Sequence, residues 1–413
     1  MFIQRPKGTY DLLPEKAFRR TFIENKLREI FTDFNYYEIR TPTFEKTVLF
    51  KRSIGEETDI VSKEMYTLND DEFTLKPEMT APVIRAYLEN SLYNESPLKK
   101  LFYICNMFRR ERPQAGRFRE FSQFGAEAIG SPDSMIDIEM ISLAALILKK
   151  FGIDNYYIRI NTIGTFEERK KYLAELVNYL EKYKNDLSAD SSRRLVINPL
   201  RILDSKDESD IKILENSPVL YDFLDADSKN NFGEILEGLD NLTINYKTDY
   251  KLVRGLDYYT STVFEFISDS LGAQNSLLGG GRYDVLVKQL GGKPTPAIGF
   301  AAGIERLITI LDAGYFNYPE QKPLKLYIIT MSNESRKFAS SLLTVLRSEG
   351  IRCDTDYLGR NVKSQMKEAN RLNAEYAIVI GDDEIKSMKG KLKRMSDGIE
   401  TDITDFNNLK NML

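Results

Sequence analysis

The chain has 413 residues, of which 42% are hydrophobic and 29% are charged, and its formal net charge is −4 at pH 7. This length allows two or three globular domains, and no stretch approaches the roughly 20 apolar residues that cross a bilayer. No apolar signal segment is visible near the start, and Cys105 and Cys353 have neither disulfide-framework nor zinc-site spacing. We therefore expect a cytoplasmic protein without a membrane anchor or a protein-held metal.

The sequence contains no histidine. This excludes mechanisms in which an imidazole side chain acts as a general base, activates a nucleophile or binds a metal ion. Any chemistry must therefore rely on carboxylates, arginines, lysines, tyrosines and bound metal.

The first 165 residues alternate helical and extended patterns. Residues 15–34 have the apolar spacing of a helix, and residues 37–42 and 72–75 have the character of short strands. Pro77 is placed to open a helix that reaches about Asn90. A strand over residues 101–108 leads into a basic loop, and residues 134–151 predict an apolar helix.

Later segments indicate further domains. Residues 166–245 change to a pattern of charged helices, which predicts a helical insertion. After it, the alternation of helical and extended patterns seen in the first 165 residues resumes. It comprises an extended segment over 251–266, a turn at 279–281, and a strand and helix over 297–311. After a linker at 319–323, two βα repeats and a third strand predict a small parallel sheet. The predicted domains are 1–320, containing the insertion, and 324–413.

The most informative segment is 108–130. Five arginines between positions 109 and 119 face one carboxylate, Glu111, in a protein that is acidic overall. A turn over 113–116 separates runs in which polar and aromatic residues alternate, which predicts a hairpin with a basic tip. Because like charges repel unless an anion lies among them, and arginine suits phosphate oxygens, we expect a polyphosphate or nucleic acid here.

Three other segments carry chemically useful side chains: 76–81 with Glu78 and Thr80, 252–260 with Arg254, and 297–307 with Arg306. Each alone also allows a structural interpretation, namely a helix N-terminal box, a strand with a bulge at Gly255, and close packing beside an ion-paired arginine. The chain has neither a Walker loop nor a dinucleotide-binding glycine pattern, so side chains must hold any nucleotide.

In order and spacing, the four segments together resemble those of the histidyl-tRNA synthetases, a family of class II aminoacyl-tRNA synthetases. Residues 38–45 resemble class II motif 1, residues 108–111 with their loop resemble motif 2, and residues 299–306 resemble motif 3. Residues 251–260 and 280–284 resemble the two signatures particular to histidyl enzymes. The resemblance covers essentially the whole chain and implies an α/β fold, with an antiparallel-sheet catalytic domain, a helical insertion and a C-terminal α/β anticodon-binding domain.

The resemblance also implies a function: a homodimeric ligase that activates L-histidine with ATP and Mg²⁺ and transfers it to tRNA-His. Arg109 and Arg254 would be the catalytic residues. The residues implied for ATP are Arg109, Glu111, Arg117, Phe121 and Arg306. Those implied for histidine are Glu78, Thr80, Gln123, Glu127, Arg254, Tyr258, Tyr259 and Tyr283. Those implied for the acceptor end of tRNA are Arg112, Gln114 and Arg119.

Two alternatives remain open at this point. The synthetase-like regulatory subunit of ATP phosphoribosyltransferase, from histidine biosynthesis, shares the catalytic fold but typically lacks the anticodon domain and parts of the ATP motifs. This chain keeps residues 324–413 together with Arg109, Glu111 and Arg306. Another class II ligase, such as the prolyl or threonyl enzyme, would not be expected to carry the run from Arg254 to Tyr259.

Overall fold

The computed structural model describes residues 3–55, 58, 60–111, 117–268, 275–314 and 316–413. The chain divides into two compact units, Met1–Tyr318 and Pro319–Leu413. None of the helices in the described ranges combines the length and apolar character needed to cross a bilayer.

The first unit is built on an eight-stranded sheet and a three-stranded sheet. Its strands are β1 (Tyr37–Glu38), β2 (Phe44–Lys46), β3 (Tyr66–Leu68), β4 (Phe73–Leu75), β5 (Lys99–Phe108), β6 (Glu120–Ile129), β7 (Tyr157–Thr162), β8 (Tyr246–Thr248), β9 (Thr260–Ile267), β10 (Ser276–Arg282) and β11 (Ala297–Gly303). Its helices are α1 (Pro14–Asp33), α2 (Thr47–Ile54), α3 (Thr80–Glu89), α4 (Ser134–Lys150), α5 (Phe166–Glu181), α6 (Ala189–Ile197), α7 (Glu208–Leu214), α8 (Ala226–Asn241), α9 (Leu286–Gln289) and α10 (Ile304–Ala313).

The large sheet has the order β1-β5-β6-β11-β10-β9-β7-β8. Only the β1–β5 and β7–β8 pairs are parallel within the described strands, so the sheet is mainly antiparallel. Successive side chains of a strand point to opposite faces. On β6 and β11, Phe124 and Phe300 accordingly pack into the core with α1 and α4, whereas Glu127 and Gly299 face the other way. The second face is therefore free to build a site.

Helices α5–α8 lie between β7 and β8, in the region where the sequence changes to charged helices. Local signals fix their ends. The hydroxyl of Thr165 accepts from the Glu168 amide and the Glu168 carboxylate accepts from the Thr165 amide, forming a capping box at the start of α5. Ser188 caps α6 by accepting from the amide of Ser191.

The second unit contains β12 (Leu326–Thr330), α11 (Asn333–Ser348), β13 (Cys353–Thr355), α12 (Val362–Arg371), β14 (Tyr376–Ile380), α13 (Asp382–Ser387), β15 (Gly390–Arg394) and β16 (Glu400–Ile403). The strand order is β13-β12-β14-β15-β16. The first three strands are parallel, as the βα repeats predict, and the last two extend the sheet as an antiparallel hairpin. The α/β fold class predicted from the sequence is thus confirmed.

Three local predictions are wrong. Residues 279–281 are not a turn but the middle of β10, where the glycines let neighbouring groups approach closely. The extended segment predicted from 251 is irregular until Thr260, where β9 begins. Helix α3 begins at Thr80 rather than at Pro77, because the Glu78 carboxylate accepts from the amides of Thr80 and Ala81 and so caps the helix there.

Candidate active site

A pocket of about 230 Å³ lies on the face of the large sheet opposite α1 and α4. Its walls come from the start of α3, the β5–β6 hairpin, the irregular segment 252–259, and strands β10 and β11. Most residues predicted from the sequence line it: Glu78, Thr80, Arg109, Glu111, Arg117, Phe121, Gln123, Arg254, Tyr258, Tyr259, Tyr283 and Arg306.

Glu127, also predicted from the sequence, does not line the pocket but lies directly behind its wall, bonded to the lining residues Thr80 and Tyr283, with only 1% of its surface exposed. Its Oε2 accepts from the Tyr283 hydroxyl at 2.5 Å, and its Oε1 accepts from the Thr80 hydroxyl at 2.8 Å. Burial, with a smaller contribution from nearby Glu78, raises the Glu127 pKa to about 8 against the opposing effect of the two hydrogen bonds. This carboxyl group is therefore easily changed from neutral to ionised by a ligand that pairs with it.

Glu78 has two roles at the start of α3. It accepts from the amides of Thr80 at 2.8 Å and Ala81 at 2.9 Å, as the helix-box interpretation of the sequence predicted. The same carboxylate also lines the pocket. Desolvation raises the Glu78 pKa, while the backbone hydrogen bonds and the charge of Arg109 lower it. A ligand cation would further stabilise the ionised form.

The open end of the pocket is strongly cationic. Arg109 donates to the Pro77 carbonyl at 2.9 Å and lies 5.3 Å from the ring centre of Phe121. Arg306 donates to the Ser276 carbonyl at 2.7 Å. Desolvation lowers the Arg306 pKa, and the charges of Arg117 and Arg109 lower it further, so these three guanidinium groups repel one another.

The nearby acid, Glu111, compensates this charge only in part. It lies 3.3 Å from Arg117 and 4.0 Å from Arg109, measured between charged atoms. Its Oε2 is buried and accepts no hydrogen bond within the described part of the chain. An anion with several oxygens would relieve the repulsion among the arginines, as predicted from the arginine-rich hairpin.

Arg254 lies between the two ends of the pocket. Its Nη1 donates to Glu265 on β9 at 3.1 Å, whereas its buried Nε has no hydrogen-bond partner among the described residues. A Cβ on Gly279 would stand 2.3 Å from the Arg254 guanidinium, so β10 needs glycine here. The guanidinium is thus anchored on one side, with an N–H group still available to a ligand.

Of the three residues predicted to bind the acceptor end of tRNA, Arg119 lies in the described ranges, and it does not line the pocket. Arg112 and Gln114 lie outside the described residues. The Arg119 guanidinium donates to the carbonyls of Glu111 at 3.2 Å and Lys7 at 3.3 Å, and its backbone amide donates to Gly8. Arg119 therefore fastens the N-terminal segment to the hairpin.

Sequence reasoning missed Glu305, although it lies beside Arg306 in the motif 3 segment. Its carboxylate accepts from the Ser122 amide at 3.0 and 3.1 Å and from the Tyr10 hydroxyl at 2.5 Å, and it pairs with Arg20 at 3.2 Å. It therefore ties α10 to β6, α1 and the N-terminal segment. Because its partners are far away in sequence, no local pattern reveals this role.

In the signature 280–284, the structure separates two roles. Arg282 is 3% exposed and donates to Asp137 of α4, so it supports the fold. Its neighbour Tyr283 points to the opposite face, where it donates to Glu127. At the end of β10, adjacent residues thus have different tasks, one in the fold and one beside the pocket.

Comparison with known proteins decides the family. A family model described as histidyl-tRNA synthetase matches residues 8–307, and a model described as an anticodon binding domain matches residues 325–413. The chain belongs to the histidyl-tRNA synthetase family. This confirms the resemblance predicted from the four segments.

Relatives and structures agree with this family. A protein named histidine–tRNA ligase from Acetivibrio thermocellus is 45% identical to this chain, over 98% of this chain and 98% of its own length. Another of that name, from Halothermothrix orenii, is 46% identical over 100% of this chain and 99% of its own length. A crystal structure of apo histidyl-tRNA synthetase from S. aureus is similar, with a TM-score of 0.84 and 38% identity over 100% of this chain and 99% of that chain. The crystal structure of an ATP phosphoribosyltransferase regulatory subunit/histidyl-tRNA synthetase from Bacillus halodurans C shares the fold. It is 24% identical with a TM-score of 0.64, and the match covers 92% of this chain and 98% of that chain.

Proposed function

We propose that this chain is a histidine–tRNA ligase. It would use ATP to convert L-histidine into histidyl-adenylate with release of pyrophosphate, and then transfer the histidyl group to the 3′ end of tRNA-His. The observation that carries the proposal is a pocket with a cationic end, suited to polyphosphate, and a wall that contains Tyr283, whose hydroxyl bonds the buried Glu127 carboxyl behind it and suits an imidazole. Family membership and full-length similarity to histidine–tRNA ligases support it.

Histidine would be recognised at the buried end. An imidazole has two ring nitrogens, and Glu127 with Tyr259 and Tyr283 can hydrogen-bond both, while Tyr258 lies beside them in the same wall. An amino acid without these nitrogens would leave buried polar groups unpaired, which is costly. Glu78, Thr80 and Gln123 would hold the α-ammonium group.

ATP would occupy the cationic end. Arg109 would bind the α-phosphate, and Arg117 and Arg306 the γ-phosphate. The adenine ring would stack between Phe121 and Arg306, with Glu111 accepting from its amino group. The repulsion among the three arginines in the ligand-free pocket supports this assignment.

The reaction needs alignment and charge neutralisation more than proton transfer. The histidine carboxylate is already a competent nucleophile, so Arg254 would orient it and stabilise charge at the α-phosphorus, aided by Arg109. Mg²⁺ would enter with the phosphates of ATP, which suits a chain whose described residues contain no cluster of three potential metal-ligating side chains. This chemistry is compatible with a chain that has no histidine.

A homodimer is proposed from the surface of the small sheet. Phe44 on β2, Val48 at the start of α2 and Leu68 on β3 are 52%, 48% and 47% exposed. These residues adjoin the segment that resembles class II motif 1, which builds the dimer interface in that class. Sedimentation of the purified chain at several concentrations tests this, and a monomer at all of them would refute it.

The chain would act in the cytoplasm and would bind tRNA through two of its regions. Arg112, Gln114 and Arg119 would meet the acceptor end, and the second unit, which matches the anticodon-binding family, would take the anticodon. The acidity of the whole chain does not oppose this, because local patches govern the approach of RNA.

ATP–pyrophosphate exchange, measured with each of the twenty amino acids, tests the function. Exchange with histidine alone is the expected result. Exchange with another amino acid would refute the histidine specificity. No exchange with any amino acid would instead favour the regulatory subunit of ATP phosphoribosyltransferase, which shares the fold.

A further inference from the structure

The loop 252–259 carries three of the proposed ligand-binding residues, Arg254, Tyr258 and Tyr259, yet contains neither helix nor strand. We call it the arginine loop. Without a backbone ladder, its shape depends on contacts from neighbouring elements. Tyr258 and Tyr259 are buried, but Gly255 and Asp257 lie at the surface, on the side that faces the helical insertion.

Two residues of the insertion bind this exposed side. Arg201 donates from Nη2 to the Gly255 carbonyl at 2.5 Å, and its Nε lies 3.7 Å from Oδ1 of Asp257. Asn198 donates from Nδ2 to the same Asp257 oxygen at 3.1 Å. Both residues lie in or next to the short 3₁₀ helix Pro199–Asp204 that follows α6.

The opposite side of Asp257 is closed by the end of α2. The Asp257 amide donates to the Ile54 carbonyl at 3.3 Å, and a Cβ on Gly55 would stand 2.6 Å from Oδ2 of Asp257. Gly55 has φ of +97°, a conformation that other residues rarely adopt. Asp257 is therefore held between the insertion and α2.

Apolar packing also joins the arginine loop to the insertion, because Tyr258 and Tyr259 belong to the same buried cluster as Ile202 and Leu203. This packing is incomplete: a cavity of about 310 Å³ lies between Arg169 and Leu173 of α5 on one side and Leu256 and Tyr259 on the other. The contacts of Arg201 and Asn198 fix the exposed part of the loop, at Gly255 and Asp257, which that packing does not cover.

We propose that Arg201, assisted by Asn198, is a positioning residue for histidine activation. It holds the arginine loop so that Arg254 and Tyr259 face the substrate pocket. Arg201 touches no substrate in this proposal; it acts through the Gly255 carbonyl and Asp257. The inference rests on the proposed function, since it concerns the same pocket.

The test is histidine-dependent ATP–pyrophosphate exchange by the full-length chain. Arg201→Ala should lower kcat/KM for histidine about 10- to 100-fold, because it removes a charged hydrogen bond and an ion pair that orient the loop. The KM for ATP should change little, because Arg109 and Arg306 are held elsewhere. Arg201→Lys keeps the charge beside Asp257 but lacks the fork that also reaches Gly255, so it should be intermediate.

The matched control is Arg193→Ala. Arg193 is an insertion arginine on α6 with a side chain 54% exposed, and among the described residues it pairs with Asp190 at the surface. Its exchange kinetics should equal those of the wild type, and its melting temperature should match that of Arg201→Ala. Wild-type kinetics in Arg201→Ala, an equal rise in the KM values of ATP and histidine, or a loss that follows a drop in melting temperature would each overturn the positioning role. Failure of the wild type to exchange with histidine would instead refute the proposed function.

Discussion

At the scale of single residues, ionisable groups in the pocket and directly behind it are compensated only in part by the protein itself. Within the described part of the chain, the Glu127 carboxyl is buried without a cationic partner and the Arg254 Nε has no acceptor, while Arg306 is repelled by other arginines. Such arrangements cost stability in the free protein. They favour binding of a ligand that supplies the missing charges, which is how a site for an amino acid and a polyphosphate would work.

Arg254 gives the most direct test of this view. Arg254→Ala should lower kcat for histidine-dependent pyrophosphate exchange by about 100-fold or more, because a preorganised donor to the reacting groups is lost. The fold should survive, because the Glu265 carboxylate, which loses Arg254, still pairs with the Arg159 guanidinium at 3.7 Å. Exchange kinetics and thermal unfolding together check the prediction, and near-wild-type exchange by a folded variant would contradict the proposed mechanism.

At the scale of elements, the strands β6, β10 and β11 can form the pocket because their glycines make space for functional side chains. A Cβ on Gly299 would stand 1.7 Å from Oε2 of Glu127. Gly279 leaves the same kind of space for Arg254 on the neighbouring strand. These glycines are needed because of the side chains that lie beside them, Glu127 on the adjacent strand and Arg254 of the irregular segment, not because of their own backbone conformation.

This explains which features could be predicted from the sequence. The sequence positions of Gln123, Phe124 and Glu127 correctly predicted which side chains of β6 face the core and which face the other way. This was possible because side chains of a strand alternate between its two faces, whatever its neighbours are. The glycines at 279–281 were wrongly predicted as a turn, because glycine also serves close approach between strands, and the partners are distant in sequence. Glu305 was missed for the same reason, and the roles of Arg112 and Gln114 stay predictions.

Gly299→Ala tests the close approach of β11 to Glu127. The added methyl group must displace the carboxylate, so we expect KM for histidine to rise about tenfold or more, with a smaller effect on KM for ATP. Gly233→Ala is the matched control: Gly233 lies exposed in α8 with no atom near its would-be Cβ, and alanine there should stabilise the helix by about 0.5–1 kcal/mol. Equal histidine KM values in the two variants would refute the expected displacement.

At the scale of the whole molecule, the absence of histidine simplifies the titration behaviour of the chain. An ordinary histidine side chain gains or loses its proton near neutral pH, and this sequence has none. Burial raises the pKa of both Cys105 and Cys353, so their thiols titrate above the neutral range. Glu127, with a pKa of about 8, is thus placed to contribute a separable titration.

The sign of that contribution follows from proton linkage. Between the ordinary glutamate pKa of 4.5 and the folded value of about 8, the folded chain keeps a proton on Glu127 that the unfolded chain has lost. The free energy of unfolding should therefore fall as pH rises through this window, by at most about 1.4 kcal/mol per pH unit, and become level above it. The Glu78 carboxylate and the hydroxyls of Tyr283 and Thr80, which face Glu127, modify the midpoint but not the direction.

Glu127→Gln isolates this effect, because the amide cannot lose a proton and stays close to the carboxyl in size. Thermal unfolding of the ligand-free chain should show wild-type stability falling between pH 5 and 8 relative to the variant, with the two curves parallel above pH 8. Glu181→Gln, at a surface position with 48% exposure, is the control and should follow the wild type throughout. Wild-type and Glu127→Gln curves that run parallel across the whole window would mean that Glu127 is already ionised in the free protein. The buried end of the pocket would then meet the imidazole with a fixed negative charge and not with a proton to exchange.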